Sequence, residues 1–241
     1  MMYPEVSFSI ISHGQGEIIC NLLDDLRKLK DVSYEIILTV NIRESMNYVF
    51  QSRDLPIKVL ENKKCKGFGA NHNSAFAEAQ GHYFVVLNPD IRLITPEIKP
   101  LIDALGIAGT GVCGPKVISP SGDLEDHARK FPTIKSLFSR ILFDVREPDY
   151  TWDNDSITVD WIAGMFMIFH SNIFKLVGGF NEKYFMYYED VDICFRLKNL
   201  GLKTVVLPSV TVIHEARRSS HKKLNYLGWH IRSTIRYLFG I

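Results

Sequence analysis

The sequence predicts an α/β fold with a mostly parallel central sheet, helices on both faces and a helical extension at the C-terminus. Three observations predict it. Short, nearly all-apolar runs such as YEIILTV and YFVVL recur in the first half. Segments with apolar residues at helical spacing separate them, and polar residues gather where the apolar runs stop. Strands buried on both faces and joined by helices read in this way, because alternate side chains must both meet hydrophobic cover.

Val6 to Ser12 reads as the first strand, and Gly14 and Gly16 mark the turn after it. Ile19, Leu22, Leu23, Leu26 and Leu29 follow at helical spacing. Tyr34 to Val40 and Ile57 to Leu60 read as buried strands. Ala70 to Gln80 reads as a helix stopped by Gly81, since glycine best tolerates a left-handed C-terminal position. Tyr83 to Leu87 is a strand running into Asn88-Pro89-Asp90. The second half is less regular. Ser119 to Gly122 is a turn, Glu147 to Ser156 a polar loop and Met165 to Phe169 a strand. Ser171 is placed to cap a short helix ended by Gly178-Gly179. Glu189 to Leu200 is a helix stopped by Gly201, and Pro208 divides two strand-like runs, Thr204 to Leu207 and Val210 to Ile213.

The totals narrow the function. The 241 residues fit one sizeable domain, and 28 basic against 27 acidic residues lack the field of a nucleic-acid binder. Four scattered cysteines contain no Cys-x-x-Cys pair, which argues against a disulfide framework or a cysteine zinc site. The start, MMYPEVSFSIIS, lacks a signal-peptide pattern. The longest apolar-plus-glycine run, Trp161 to Phe169, is shorter than the roughly 20 residues that cross a bilayer. The expectation is a cytosolic chain, unless a surface holds it to a membrane.

Ligands of open parallel sheets sit beyond the C-terminal strand ends. Ser12-His13, Asn41 and Asn88-Pro89-Asp90 fall at such ends. A carboxylate there suits a hard divalent ion such as magnesium or manganese, although Asn, Pro and Asp also make plain turns. Lys66-Gly-Phe-Gly-Ala-Asn71 precedes a helix, and its glycines let backbone approach a ligand. It is neither a dinucleotide fingerprint nor a P-loop, because His72 takes the third glycine position and no Gly-Lys-Ser/Thr follows. Tyr187-Tyr-Glu-Asp-Val-Asp192 puts three carboxylates at a helix start. The helix dipole welcomes them as caps, but the aromatic residues before them can desolvate a carboxylate and raise its pKa toward that of a general base. His214 ends a strand-like run, and Arg217 and Arg218 follow it. A histidine so placed is commonly structural, and such arginines are commonly surface charges.

Taken together, the ordered pieces resemble family 2 glycosyltransferases of the GT-A fold. The pieces are SFSIISH, NKKCKGFGANHN (62–73), VLNPD (86–90), GPKVISPSGDLEDHARKFPT (114–133), VDWIAGMFMI (159–168), GGFNEKYFMYYEDVDICFRL (178–197) and PSVTVIHEARRSS (208–220). The resemblance spans Val6 to about Tyr237, and HARKFPT, WIAG, YFMYYED and HEARRSS are most similar to the bacterial rhamnosyltransferase branch. It implies an inverting, metal-dependent transfer of a sugar from a nucleoside-diphosphate donor to a glycan or lipid-linked acceptor, with dTDP-L-rhamnose as donor. Asp190 resembles the catalytic base, with Glu189 beside it at the acceptor. Asp90 and His214 resemble the ligands of a Mg2+ or Mn2+ cofactor. Ser12, His13, Asn41, Gly67, Gly69, Asn71 and Asn88 would line the donor pocket, with Trp161 and Gly164 near the sugar.

Two departures stand out. Thr39-Val40-Asn41 lacks the family's acid after the second strand, and Asn88 replaces the first acid of the metal motif. Two rival readings follow. A sugar nucleotidyltransferase is disfavoured by the absence of a Gly-x-Gly-Thr-Arg type loop after the first strand. An inactive nucleotide- or glycan-binding relative is the other. Residues 1–221 read as the catalytic domain and 222–241 as a basic amphipathic helix, with Lys222, Lys223, Arg232 and Arg236 among apolar residues and Trp229. Such a helix packs on its domain or lies in a membrane interface.

Overall fold

The computed structural model describes residues 3–134, 149–152, 155–215 and 224–240. In chain order the elements are β1 (Val6–Ser12), α1 (Gly16–Leu26), β2 (Tyr34–Val40), α2 (Asn47–Gln51), β3 (Ile57–Glu61) and α3 (Phe68–Phe76). Then come β4 (Tyr83–Leu87), β5 (Ile91–Leu93), α4 (Lys99–Leu105), β6 (Thr110–Ile118), β7 (Ala128–Arg129), β8 (Ile157–Val159), β9 (Trp161–Ile162) and β10 (Phe166–His170). The chain continues with α5 (Ser171–Leu176), α6 (Glu189–Asn199), β11 (Lys203–His214) and α7 (Leu224–Phe239).

The main sheet runs β3-β2-β1-β4-β10-β6-β11-β5, with β8 also on β11. Alternation along each strand feeds two cores. Phe8, Ile36, Val85 and Ile168 pack with α1 and α4 residues such as Leu22 and Leu101 on one face. Ile37, Phe84, Val86 and Phe169 pack with Phe174 of α5 and Ile193 and Leu197 of α6 on the other. Burial on both faces explains the unbroken apolar runs.

The sheet is parallel through β3-β2-β1-β4 and again between β6 and β11, but β10 runs antiparallel to β4 and β6 between them. Composition could not give that direction, because a doubly buried strand is apolar either way. The topology has one consequence for function. Ser12, Val40 and Leu87 end their strands on one edge, Phe166 begins β10 opposite Leu87, and β11 brings His214 to that same edge.

Several local expectations change. The two runs around Pro208 form one strand, β11, whose register with β6 shifts between Leu207 and Thr211. A bulge is where a sheet tolerates proline, since the missing N–H is not needed there. Ser171 does not cap α5: the His170 side chain accepts from the Asn172 amide at 3.3 Å, and the Ser171 hydroxyl donates to the Gly81 carbonyl. Helix α3 ends at Phe76, short of Gly81. Gly81 is glycine for space instead, because a Cβ there would lie 2.6 Å from the Ser7 nitrogen. Gly178, Gly179 and Gly201 do take the left-handed conformation expected of helix stops.

Candidate active site

The strand edge carries two acidic centres joined by backbone. At the first, the Asp90 carboxylate follows β4, and its Oδ2 lies 3.4 Å from His214 Nε2 at the end of β11. The Asp90 Oδ1 and His214 Nδ1 atoms are buried without a hydrogen-bond partner among the described residues. Burial alone would lower the pKa of His214, but the Asp90 carboxylate, with Glu125 nearby, holds it above its ordinary value. Adjacent ligands of an octahedral ion with bonds of about 2.1 Å sit about 3 Å apart, so this pair fits two corners of such a shell. No group of three potential ligands occurs among the described residues.

The pair is braced from behind. Buried Asp25 of α1 accepts from Arg92 Nε at 2.7 Å and Nη2 at 3.1 Å, and from the Leu93 amide at 3.1 Å. Arg92 also faces Glu215 at 3.7 Å, and the Glu215 amide donates to the Asp90 carbonyl at 2.8 Å. Neither Asp25 nor Arg92 was singled out from sequence. An acid on a helix and a basic residue on a short strand carry no local sign that they meet. Arg217 and Arg218 lie outside the described residues.

The second centre is the start of α6. Asp190 Oδ2 accepts from the Gly164 amide at 3.1 Å and Oδ1 from the Val191 amide at 2.8 Å. Burial raises its pKa, while those two amides act in the opposite direction. Glu189 beside it is buried, its pKa raised well above the usual range by burial and then by the Asp190 charge, and its Oε2 has no partner among the described residues. The two centres meet through one stretch of chain: Asp190 is bonded to Gly164, and the next residue, Met165, accepts from the Asn88 amide at 2.9 Å. Asn88 therefore enters through its backbone. Trp161 is fixed by its indole N–H to the Lys130 carbonyl at 3.0 Å.

Backbone geometry before α6 is unusual. Tyr187 and Tyr188 both have positive φ, 68° and 70°. That region costs a residue with a β-carbon about 1–3 kcal/mol, and it persists where surroundings over-determine it. Aromatic residues gave no sequence signal for it.

The glycine loop serves this segment. A Cβ on Gly67 would lie 2.5 Å from the Phe185 carbonyl oxygen, one on Gly69 2.7 Å from Phe180, and one on Gly164 2.9 Å from the Phe68 ring. These three glycines admit close packing of the α3 start against the acidic turn. Asn41 and Asn71 hold the same loop. Asn41 accepts from the Lys66 amide (2.9 Å) and donates to the Lys66 carbonyl (3.0 Å), and Asn71 donates to the Gly67 carbonyl (3.0 Å). Asn62 joins them, donating to Asn41 Oδ1 at 2.9 Å and Asn71 Oδ1 at 2.6 Å. It lies in the NKKCKGFGANHN motif, where nothing local marks this role. Exposed His13 lies 3.3 Å from the Asn41 amide, and buried Ser12 accepts from the Gln15 amide.

The sequence profile of Glycosyl transferase family 2 matches residues 7–174. Rhamnosyltransferase WbbL of Escherichia coli K12 is 30% identical over 95% of this chain and 90% of its own. N-acetylglucosaminyl-diphospho-decaprenol L-rhamnosyltransferase of Mycobacterium tuberculosis is 29% identical over 65% of this chain, and the match spans 54% of that protein. Among solved structures, the mannosyltransferase PcManGT of Pyrobaculum calidifontis, in complex with GDP-Man and Mn2+, superposes with a TM-score of 0.67 at 14% identity. That match covers 98% of this chain and 65% of that one. TarS of S. aureus in complex with UDP-GlcNAc gives 0.62 at 16% identity, over 90% of this chain and 60% of that one. These likenesses carry the fold, and the sequence match carries the lineage: the chain belongs to glycosyltransferase family 2, with the GT-A fold.

Proposed function

We propose that this glycosyltransferase moves L-rhamnose from dTDP-L-rhamnose to a hydroxyl of a lipid-linked glycan, with inversion and with Asp190 as base. The observation that carries the reading is the link Asp190–Gly164–Met165–Asn88, which sets the acid beside the strand end bearing Asp90. Asp190 is half-buried, oriented by two amides, and raised in pKa, as a base working near neutral pH requires. It would take the acceptor proton as that oxygen bonds to the anomeric carbon and the bond to the diphosphate breaks. Asp90 and His214 would hold the divalent ion. Such an ion stabilises the charge that develops on a departing diphosphate. Asn41, Asn62 and Asn71 would keep the Lys66–Gly67 loop shaped beside the donor, with Ser12 and His13 at its edge.

The choice of sugar and acceptor rests on the names of the two rhamnosyltransferases, one of which acts on a polyprenyl diphosphate. A donor panel with a polyprenyl-diphosphate acceptor, reading nucleoside diphosphate release with and without chelator, tests it. Transfer confined to another nucleotide sugar overturns the donor, and turnover indifferent to chelator overturns the metal. Saturable binding without turnover would favour the inactive-relative reading.

Residues 1–221 form the catalytic unit in this reading, and α7 adds a lipid-facing surface. Leu227, Ile231, Ile235 and Phe239 are 58%, 50%, 44% and 64% exposed at steps of four along α7. Residues 222–241 contain two lysines and two arginines and no acid, which suits an anionic bilayer. Lys222 and Lys223 lie outside the described residues, and no helix among those described is long and apolar enough to cross a membrane. Co-sedimentation with anionic vesicles should fall in Ile231→Ser/Ile235→Ser, and unchanged binding would discard the surface.

A further inference from the structure

We propose that Ser233, in the C-terminal helix and far along the chain from the acidic motif, is a positioning residue for transfer. Its role is to hold the left-handed Tyr187–Tyr188 turn from which Glu189 and Asp190 project. The inference rests on Asp190 as the base, and it adds a part of the chain that no motif of the reaction includes.

The turn is held from two sides. From the body of the domain, the Phe68 amide donates to the Phe185 carbonyl at 2.9 Å, and the Asp192 amide to the Tyr188 carbonyl at 2.8 Å. From the other side comes α7. The Ser233 hydroxyl, buried at 4% exposure, donates to the Met186 carbonyl at 2.9 Å, directly before the left-handed pair. The Arg236 guanidinium donates to the Lys183 carbonyl. Aromatic contacts flank these bonds: Trp229 on Phe185 at 4.8 Å, His230 on Tyr187 at 5.3 Å and on Tyr188 at 5.7 Å, and Tyr237 on Tyr188 at 5.3 Å.

Two successive β-carbon-bearing residues do not stay left-handed unaided, because the Cβ crowds the following carbonyl. Each of the four carbonyls and rings named above is therefore a restraint on a segment that would otherwise relax. Among the restraints from α7, the Ser233 bond is the buried, directional one nearest the pair. Losing it frees the Met186 peptide to rotate, and the rotation passes through Tyr187, Tyr188 and Glu189 to Asp190. Misplacing a reacting group by a fraction of its hydrogen-bond tolerance slows chemistry without weakening donor binding, which is made elsewhere.

The test compares Ser233→Ala with Ser233→Thr, which keeps the hydroxyl. In Ser233→Ala we expect kcat to fall about 10-fold or more with donor KM unchanged, and Ser233→Thr to restore most of it. The pH profile of kcat should also shift on its acidic limb, because the amide bonds that tune Asp190 loosen. A lowered melting temperature with kcat and the pH profile unchanged would overturn the proposal, as would equal losses in both variants. Should the alanine variant not accumulate as folded protein, Ser233→Cys, similar in size with only a weak donor, carries the same comparison. Full turnover by Asp190→Asn would remove the base assignment and not the Ser233 result, so the two failures are separable.

Discussion

The Gly164 amide donates to Asp190 Oδ2 at 3.1 Å, so the acid at the head of α6 is fixed to the chain that opens β10. Because Met165 in turn accepts from Asn88, the carboxylate cannot move independently of the loop that carries Asp90. An Asp190→Asn side chain keeps the size, loses the proposed base and turns its NH2 toward one of the two amides that the carboxylate accepts from. Its kcat should fall about 10²–10⁴-fold with donor affinity close to the parent and a modest loss of melting temperature, as steady-state kinetics, donor titration and thermal unfolding would measure. Near-parent turnover would take Asp190 out of the reaction.

Gly164 itself gives a second expectation. A Cβ there meets the Phe68 ring at 2.9 Å and stands 3.9 Å from the Asp190 Cβ. Gly164→Ala must push back the Phe68 ring or shift its own backbone, and a backbone shift draws the Gly164 amide away from Asp190. Overpacking of this kind costs about 1–3 kcal/mol. We expect a lowered denaturation midpoint together with a kcat loss, and a loss of stability alone would show that the Phe68 ring gives way and the backbone at Gly164 keeps its place.

The Asp90–His214 pair predicts a metal dependence of a particular kind. His214→Ala removes the proposed nitrogen ligand and leaves the Asp90 carboxylate, so activity should survive at raised metal. The Mn2+ concentration for half-maximal rate should rise about 10-fold or more. Asp25→Ala, which unseats Arg92 behind the pair, should shift it in the same direction through the loss of buried bonds. A metal titration superimposable on the parent for His214→Ala would exclude the histidine from the shell.

How much of this was legible beforehand follows from the kind of signal each feature leaves. Strands β1, β2, β4 and β10 announce themselves because both faces are buried, and the polar residues at their ends mark the edge where Asp90 sits. β6 leaves a broken pattern, since Gly111, Gly114 and Pro115 interrupt it, and α4 starts at Lys99-Pro100 without a side-chain cap. Neither leaves a clear local signal. The acidic start of α6 was plain from its charges, whereas the left-handed tyrosines before it were not, because nothing in a Tyr-Tyr pair signals positive φ. Gly67 and Gly69 read as a loop open to a ligand, and their tight contacts with Phe185 and Phe180 come from residues more than a hundred positions away.

The asparagine at the end of β2 is a departure with a physical account. Asn41 uses its carbonyl for the Lys66 amide and its NH2 for the Lys66 carbonyl. A carboxylate could make the first bond and not the second, and would bring a charge against a carbonyl oxygen. Asn41→Asp should therefore lower stability by about 1–3 kcal/mol, read in urea, and raise donor KM through the loosened loop. If the variant instead tightens donor binding, the position reads the nucleotide directly, as the acid it replaces would be expected to do.

His72 supplies the pH dependence. It is fully buried on the inner face of α3, bonded through Nδ1 to Ser9 at 2.7 Å, with Nε2 lacking a partner among the described residues, and burial pushes its pKa down to about 3. An unfolded chain protonates this imidazole near pH 6.5 and the folded one does not, so between those values the unfolded state binds one more proton. Stability then rises with pH across that window and is lost as pH falls below about 6.5, by at most about 1.4 kcal/mol per pH unit. His127, buried against Trp152 and lowered to about 4, acts in the same direction. Urea unfolding at several pH values between 4.5 and 7 should give a shallower slope for His72→Gln than for the parent. Parallel slopes would mean that the folded protein admits the proton, and that the Ser9–His72 contact opens to water before the domain unfolds.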